Sequence, residues 1–198
     1  MKTLRIILWC MVAVMAGFSG YLWLSQKQPT QVANQSAVKI GSPFNLVSHT
    51  GAPLTQANLE GRRHAIFFGF THCPDICPAT LLQAAGWMKD LGPDSDKIDF
   101  YFFSVDPERD TPEIMNDYVN AFDPRIIGVT GSPEEMTKTL KGYKVYAKRV
   151  DLDEDDYTMD HSAFVMLFRT DGSFQGTISF DENTDTAIAK LKRLVENG

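Results

Sequence analysis

At 198 residues the chain is long enough for one ordinary domain with an appendage, and short for two domains. Its 43% apolar and 22% charged residues match a folded globular protein and exclude a disordered one. A formal net charge of −6 argues against nucleic acid as a partner, because an acidic surface is repelled by a phosphate backbone.

The appendage comes first. Lys2 and Arg5 precede an uncharged stretch from Ile6 to Leu24, close to the roughly 20 apolar residues that cross a bilayer. Trp9, Tyr21 and Trp23 lie near its ends, where amphipathic rings favour the interface. Residues 1–25 are therefore expected to be a signal anchor, a single transmembrane helix. Val14-Met15-Ala16 resembles a signal-peptide cleavage site, but a cut there would leave Phe18, Leu22, Trp23 and Leu24 as an exposed apolar tail. Basic residues before the segment hold that end in the cytoplasm, which places the rest of the chain beyond the membrane. In a bacterium that is the periplasmic side of the inner membrane. Residues 26–39, rich in Gln, Ser, Asn and Thr, read as a flexible tether.

Residues 40–198 carry the pattern of an α/β domain. After a small hairpin within 41–60, Ala65–Phe70 is a continuous apolar run of the kind buried on both faces of a sheet. From Pro78, Leu81, Ala85, Met88 and Leu91 recur at helical spacing, and Gly92-Pro93 stops the helix. Ile98–Val105 predicts a second strand. Thr111-Pro112-Glu113 starts a helix with a capping residue and a proline at its first position. Ile126–Val129 predicts a third strand, and Ser132 to Glu135 has capping-box spacing before the next helix. Tyr143–Val150 is expected to be extended, with an acidic loop after it (Asp151, Asp153, Glu154, Asp155, Asp156). Ser162–Phe168 and Phe174–Phe180 predict a hairpin around Asp171-Gly172, followed by a helix over Thr184–Glu196. Strands and helices that alternate and close with a hairpin and helix are the order of a thioredoxin-like domain.

Outside the anchor the only cysteines are Cys73 and Cys77, in Phe-Thr-His-Cys-Pro-Asp-Ile-Cys-Pro between the first strand and the first helix. A helix mouth favours the thiolate, so this loop suits thiol redox or metal chemistry. Ligands in open α/β sheets collect beyond the C-terminal ends of the parallel strands, where this loop and Asp106–Thr111 both emerge. If the strand over 162–168 runs antiparallel to them, His161 at its start reaches the same edge. Two thiolates with one imidazole suit Cu(I) better than structural zinc, which wants a fourth protein ligand. Blander readings stand beside these: Cys73 and Cys77 as a structural disulfide, His161 as a hydrogen-bonded core histidine, and Asp106–Thr111 as a turn and cap. His72 reads as an exposed turn residue or a redox tuner.

Three motifs in order carry a resemblance: Phe70–Pro78, Ser104-Val-Asp-Pro-Glu-Arg-Asp-Thr-Pro112, and Asp160-His161-Ser162. Together they resemble the Sco/SenC family of copper proteins for cytochrome c oxidase assembly. The resemblance implies a thioredoxin-like fold and copper ligands at Cys73, Cys77 and His161, with Cu(I), Cu(II) or both as the bound ion. It implies a metallochaperone that delivers copper to the binuclear centre of cytochrome c oxidase subunit II, with a copper donor protein as a further partner. The alternative it carries is an enzyme, a thiol–disulfide oxidoreductase in which Cys73 and Cys77 are the catalytic redox pair that reduces the cysteines of that subunit.

Overall fold

A computed structural model describes residues 2–26, 40–152 and 156–198, and the chain divides into a unit up to Val38 and a unit from Lys39 to Gly198. The first contains helix α1 (Lys2–Gln26), about 37 Å long at 1.5 Å per residue. Ile6, Trp9, Val14 and Phe18 on it are exposed. Among the described residues no helix is long and apolar enough to cross a membrane. The side chains of Leu8 and of Leu22 to Leu24, which belong to the expected span, lie outside the described residues, as does the tether from residue 27 onward.

The second unit is built on a seven-stranded sheet. Its central strands are β3 (Arg63–Gly69), β4 (Ile98–Ser104) and β5 (Ile126–Thr130), paired parallel in the order β5-β4-β3. A hairpin of β1 (Asn45–Ser48) and β2 (Pro53–Thr55) extends the sheet beyond β5, and one turn of helix, α2 (Gln56–Leu59), follows it. On the other side β8 (Phe164–Phe168) runs antiparallel to β3, and β9 (Phe174–Ser179) closes the sheet. The apolar runs of β3 and β4 are buried on both faces, as parallel strands covered by helices must be. The helices are α3 (Ile76–Leu91), α4 (Pro112–Asn120), α5 (Pro133–Tyr143) and α6 (Thr184–Asn197). A separate two-stranded ribbon, β6 (Ala147–Asp151) with β7 (Tyr157–His161), stands outside the sheet.

Most sequence expectations are met, including the capped helix starts at Thr111 and Ser132. Thr111 accepts a hydrogen bond from the Ile114 N–H at 3.4 Å, and Ser132 accepts one from the Glu135 N–H at 3.3 Å. Three expectations are corrected. Helix α3 begins at Ile76, before Pro78, so Cys77 lies inside its first turn. Tyr143, assigned to an extended segment, is the last residue of α5. Its ring is buried against Phe68, Phe103 and Phe168, and Lys144 at φ 59° ends the helix in the left-handed region. Finally, His161 does not start a strand over 162–168 but ends β7, which the acidic composition before it concealed.

Candidate metal centre

Gly69 and Ser104 are register partners at the ends of β3 and β4, so the loops that leave them share one edge of the sheet. The Val105 N–H donates to the Gly69 carbonyl at 2.7 Å and holds the two exits together. After β3 the chain turns, with the Cys73 N–H donating to the Phe70 carbonyl at 3.3 Å, and α3 begins. The Cys77 N–H in the first turn of α3 donates to Cys73 Sγ at 3.4 Å. Cys73 sulfur thus occupies the place of a helix-capping acceptor. A helix N-terminus with free N–H groups favours a negative sulfur there.

The two thiols are free and differ in environment: Cys73 is half-buried and Cys77 is fully buried. The hydrogen bond from the Cys77 thiol holds Cys73 well below the ordinary thiol range, against the opposing effect of burial, with a further contribution from His161. The same hydrogen bond, burial and the neighbouring Cys73 charge push Cys77 up. The two shifts run in opposite directions, with the sulfur that ionises more readily on the accessible side. A Cβ on Gly69 would stand 2.7 Å from Cys77 Sγ and 2.7 Å from the Phe102 ring, so a glycine there lets the buried sulfur sit against β3.

His161 completes the cluster. Its Nε2 lies 3.6 Å from Cys77 Sγ. Its Nδ1 is 3.0 Å from the Ser162 carbonyl, which can only accept, so Nδ1 carries a proton and Nε2 is the nitrogen turned toward Cys77. The ring rests edge-on against Phe70, with centroids 5.8 Å apart, and more distantly against Phe67. All three residues singled out in the sequence therefore meet at one place. The end-of-strand position of His161 differs from expectation, but its proximity to the cysteines does not.

The loop after β4 has a part beyond turn and cap. Asp110 is fully buried, and its carboxylate accepts from the Thr71 hydroxyl and the Ser104 hydroxyl at 2.6 Å each and from the Thr71 N–H. Burial raises its pKa, and these donors oppose that rise. The carboxylate ties the start of the cysteine loop to β4. His72 is half-exposed, with Nδ1 3.0 Å from the Thr71 hydroxyl and 4.0 Å from Asp110. His49 accepts from the Gly128 N–H at 2.9 Å, and His64 is a core residue stacked on Phe168, so neither belongs to the site. Of the acidic run, Asp151 pairs with Arg149 and Asp156 with Arg109, while residues 153–155 lie outside the described residues.

Among the described residues no group of three His, Cys, Asp or Glu is arranged to close around a metal ion. The three side chains instead hydrogen-bond to one another. Their donor chemistry nevertheless fits a soft ion: two sulfurs and an imidazole whose Nε2 is turned toward Cys77. The Sγ to Nε2 separation of 3.6 Å is also shorter than about 4.3 Å, the sum of zinc–sulfur and zinc–imidazole bonds, so one ion of that size can touch both.

Comparison with known proteins follows the same line. The family model described as SCO1/SenC matches residues 32–196. The mitochondrial protein SCO2 of Saccharomyces cerevisiae is 35% identical over 187 residues, which is 89% of this chain and 62% of that relative's length. This chain therefore spans less than two thirds of that relative. The solved structure of Bradyrhizobium japonicum ScoI with copper bound is 43% identical, with a TM-score of 0.74, over 78% of this chain and 99% of that one. BsSco, whose structure is described as that of a member of the Sco family of cytochrome c oxidase assembly proteins with a disulfide switch, is 25% identical. Its TM-score is 0.64 over 81% of this chain and 95% of that one. The copper-bound relative shares the α/β, thioredoxin-like architecture, and the family match runs over the whole folded unit: the chain belongs to the SCO1/SenC family.

Proposed function

We propose that the protein is a membrane-tethered copper carrier for cytochrome c oxidase assembly, holding copper through Cys73, Cys77 and His161. Its cargo would go to the binuclear copper centre of subunit II, and a copper donor protein would load it. The observation that carries this reading is the aim of the imidazole: Nδ1 is committed to the Ser162 carbonyl and Nε2 faces Cys77. Thiolates and imidazole together bind Cu(I), and a three-ligand site with one half-exposed sulfur can release it by ligand exchange. Copper takes both sulfurs as thiolates, and Cys77 is the one that gives up its proton less readily, so loading releases acid.

Tethering by α1 belongs to this proposal, with the folded unit on the periplasmic side of the inner membrane. It is supported by the uncharged Ile6–Leu24 stretch and by exposed apolar side chains along the helix. The full chain should stay with membranes through a carbonate wash and leave only with detergent; release by carbonate would contradict the tether.

A second reading is favoured by the asymmetry of the thiols. An accessible thiolate at Cys73 beside a buried thiol at Cys77 is the arrangement of an attacking and a resolving sulfur. Cys73 would attack a partner disulfide and form a mixed disulfide. Cys77 would then displace the partner, leaving it as a dithiol with the two electrons and the Cys73–Cys77 pair oxidised. His161→Ala separates the two readings. A carrier loses its third ligand, so oxidase activity should fall under copper limitation and recover in part with added copper. Normal oxidase activity in that variant under copper limitation would favour the oxidoreductase.

A further inference from the structure

The ribbon that delivers His161 has little of its own to hold it in place. Among the described residues β6 and β7 pair only with each other, and a lone two-stranded ribbon is marginal in water. Most β6 side chains are exposed, while Ala147 and Met159 pack against the core. A cavity of about 160 Å3 is lined by Tyr157 and Met159 of the ribbon and by Met136 and Leu140 of α5. At the base of the ribbon the same ladder runs one pair further: the Ser162 N–H donates to the Tyr146 carbonyl at 3.0 Å, and the Tyr146 N–H to the Ser162 hydroxyl at 3.2 Å. These bonds join the two strands to each other and do not fix the swing of the ribbon against the sheet.

Its far end is gripped by Arg109, from the loop after β4. The Arg109 guanidinium lies 3.7 Å from the centre of the Tyr157 ring, and its Nη1 donates to the Tyr157 carbonyl at 3.0 Å and to Asp156 at 3.3 Å. Its Nε donates to Asp106, a buried carboxylate that also accepts from the Tyr157 hydroxyl at 2.8 Å. Arg149 lies 3.6 Å from the same ring centre. Two guanidinium groups that close must take opposite faces, so Tyr157 is stacked between cations. Arg109 is also 5.9 Å from the Phe70 ring, the wall against which His161 rests.

We infer that Arg109 is the positioning residue of the metal centre: by clamping Tyr157 and Phe70 together it sets where β7 delivers His161 beside Cys77. The inference rests on the copper reading above for its consequence, and on the contacts alone for the clamp. The role needs arginine in particular. A flat guanidinium can stack on a ring while its edge donates to a carbonyl and a carboxylate; a lysine ammonium cannot do both. His161 is four residues along β7 from Tyr157, roughly 13 Å in an extended strand, so the effect travels through the ribbon and not by contact.

The test has two arms on the full chain in detergent. In copper-free protein, Arg109→Ala should speed amide hydrogen exchange across residues 147–161 about tenfold and leave β3 and β4 unchanged. In the copper arm, Arg109→Ala should weaken Cu(I) affinity about tenfold in the wild-type background, the usual scale for losing a group that orients a ligand. With His161 already replaced by Ala, the same change should cost less than about twofold, because a residue acting through His161 has nothing left to position. Arg109→Lys serves as the second variant should the alanine protein not fold, and it should restore less than half of the lost protection. Unchanged ribbon exchange, or an equal tenfold loss of copper affinity in the His161→Ala background, would overturn the inference. Equal copper binding by wild type and a Cys73→Ala/Cys77→Ala double variant would instead sink the copper reading, and the copper-free exchange would still decide the clamp.

Discussion

Gly69 sets how near the Cys77 sulfur comes to the sheet, and nothing in the motif around it announces that role. The first added carbon would meet Cys77 Sγ and the Phe102 ring at 2.7 Å, both in the packed interior. Gly69→Ala should therefore cost about 1–3 kcal/mol, read as a lowered unfolding midpoint, and shift the Cys77 thiol. An unaltered midpoint would contradict the close approach. His64 shows the opposite case, a conspicuous residue with a bland task. Burial lowers its pKa, and the Arg62 carbonyl 3.1 Å from Nδ1 only partly offsets this. Below the usual histidine value near 6.5 the unfolded chain takes up a proton that the folded one resists, so stability falls as pH drops through that region. His64→Phe, which keeps a ring stacked on Phe168, should flatten the dependence of the unfolding midpoint on pH between 7 and 5. An unchanged slope would assign it elsewhere. Cys73 and Cys77 were legible because thiols at a helix mouth have few structural uses. Gly69 was not, since a glycine's close neighbours come from distant segments.

At the scale of elements, the loop after β4 matters more than its turn-forming composition implies. Asp110 accepts two donors from Thr71, at the start of the cysteine loop, and one from Ser104, at the end of β4. Asp110→Ala would strand buried hydroxyl and N–H groups and should cost about 2 kcal/mol or more; Asp110→Asn, which keeps an acceptor, should cost less. Equal midpoints for both variants and wild type would mean water replaces the carboxylate without penalty. The central strands and α3, α4 and α6 were readable from apolar runs and caps, because local patterns decide them. The ribbon was readable only in part. The extended run to Val150 anticipates β6, but the stretch after it reads as an acidic loop, and the place of β7 comes from contacts with Arg109 and Asp106 that are distant in sequence. Tyr143 was misplaced for a related reason: an aromatic at a helix end reads as extended until the rings around it are known.

For the whole molecule, the sheet brings a loop between β3 and α3, a loop after β4 and the end of a detached ribbon to one edge. Only the first is local in sequence. We propose that this edge is a copper site built from Cys73, Cys77 and His161. The decisive measurement is metal analysis of the reduced protein after Cu(I) loading, set against Cys73→Ala/Cys77→Ala and His161→Ala. Wild-type protein should hold one copper tightly per chain, the cysteine double variant none, and His161→Ala should bind it more weakly. One tightly held copper in the double variant would contradict it.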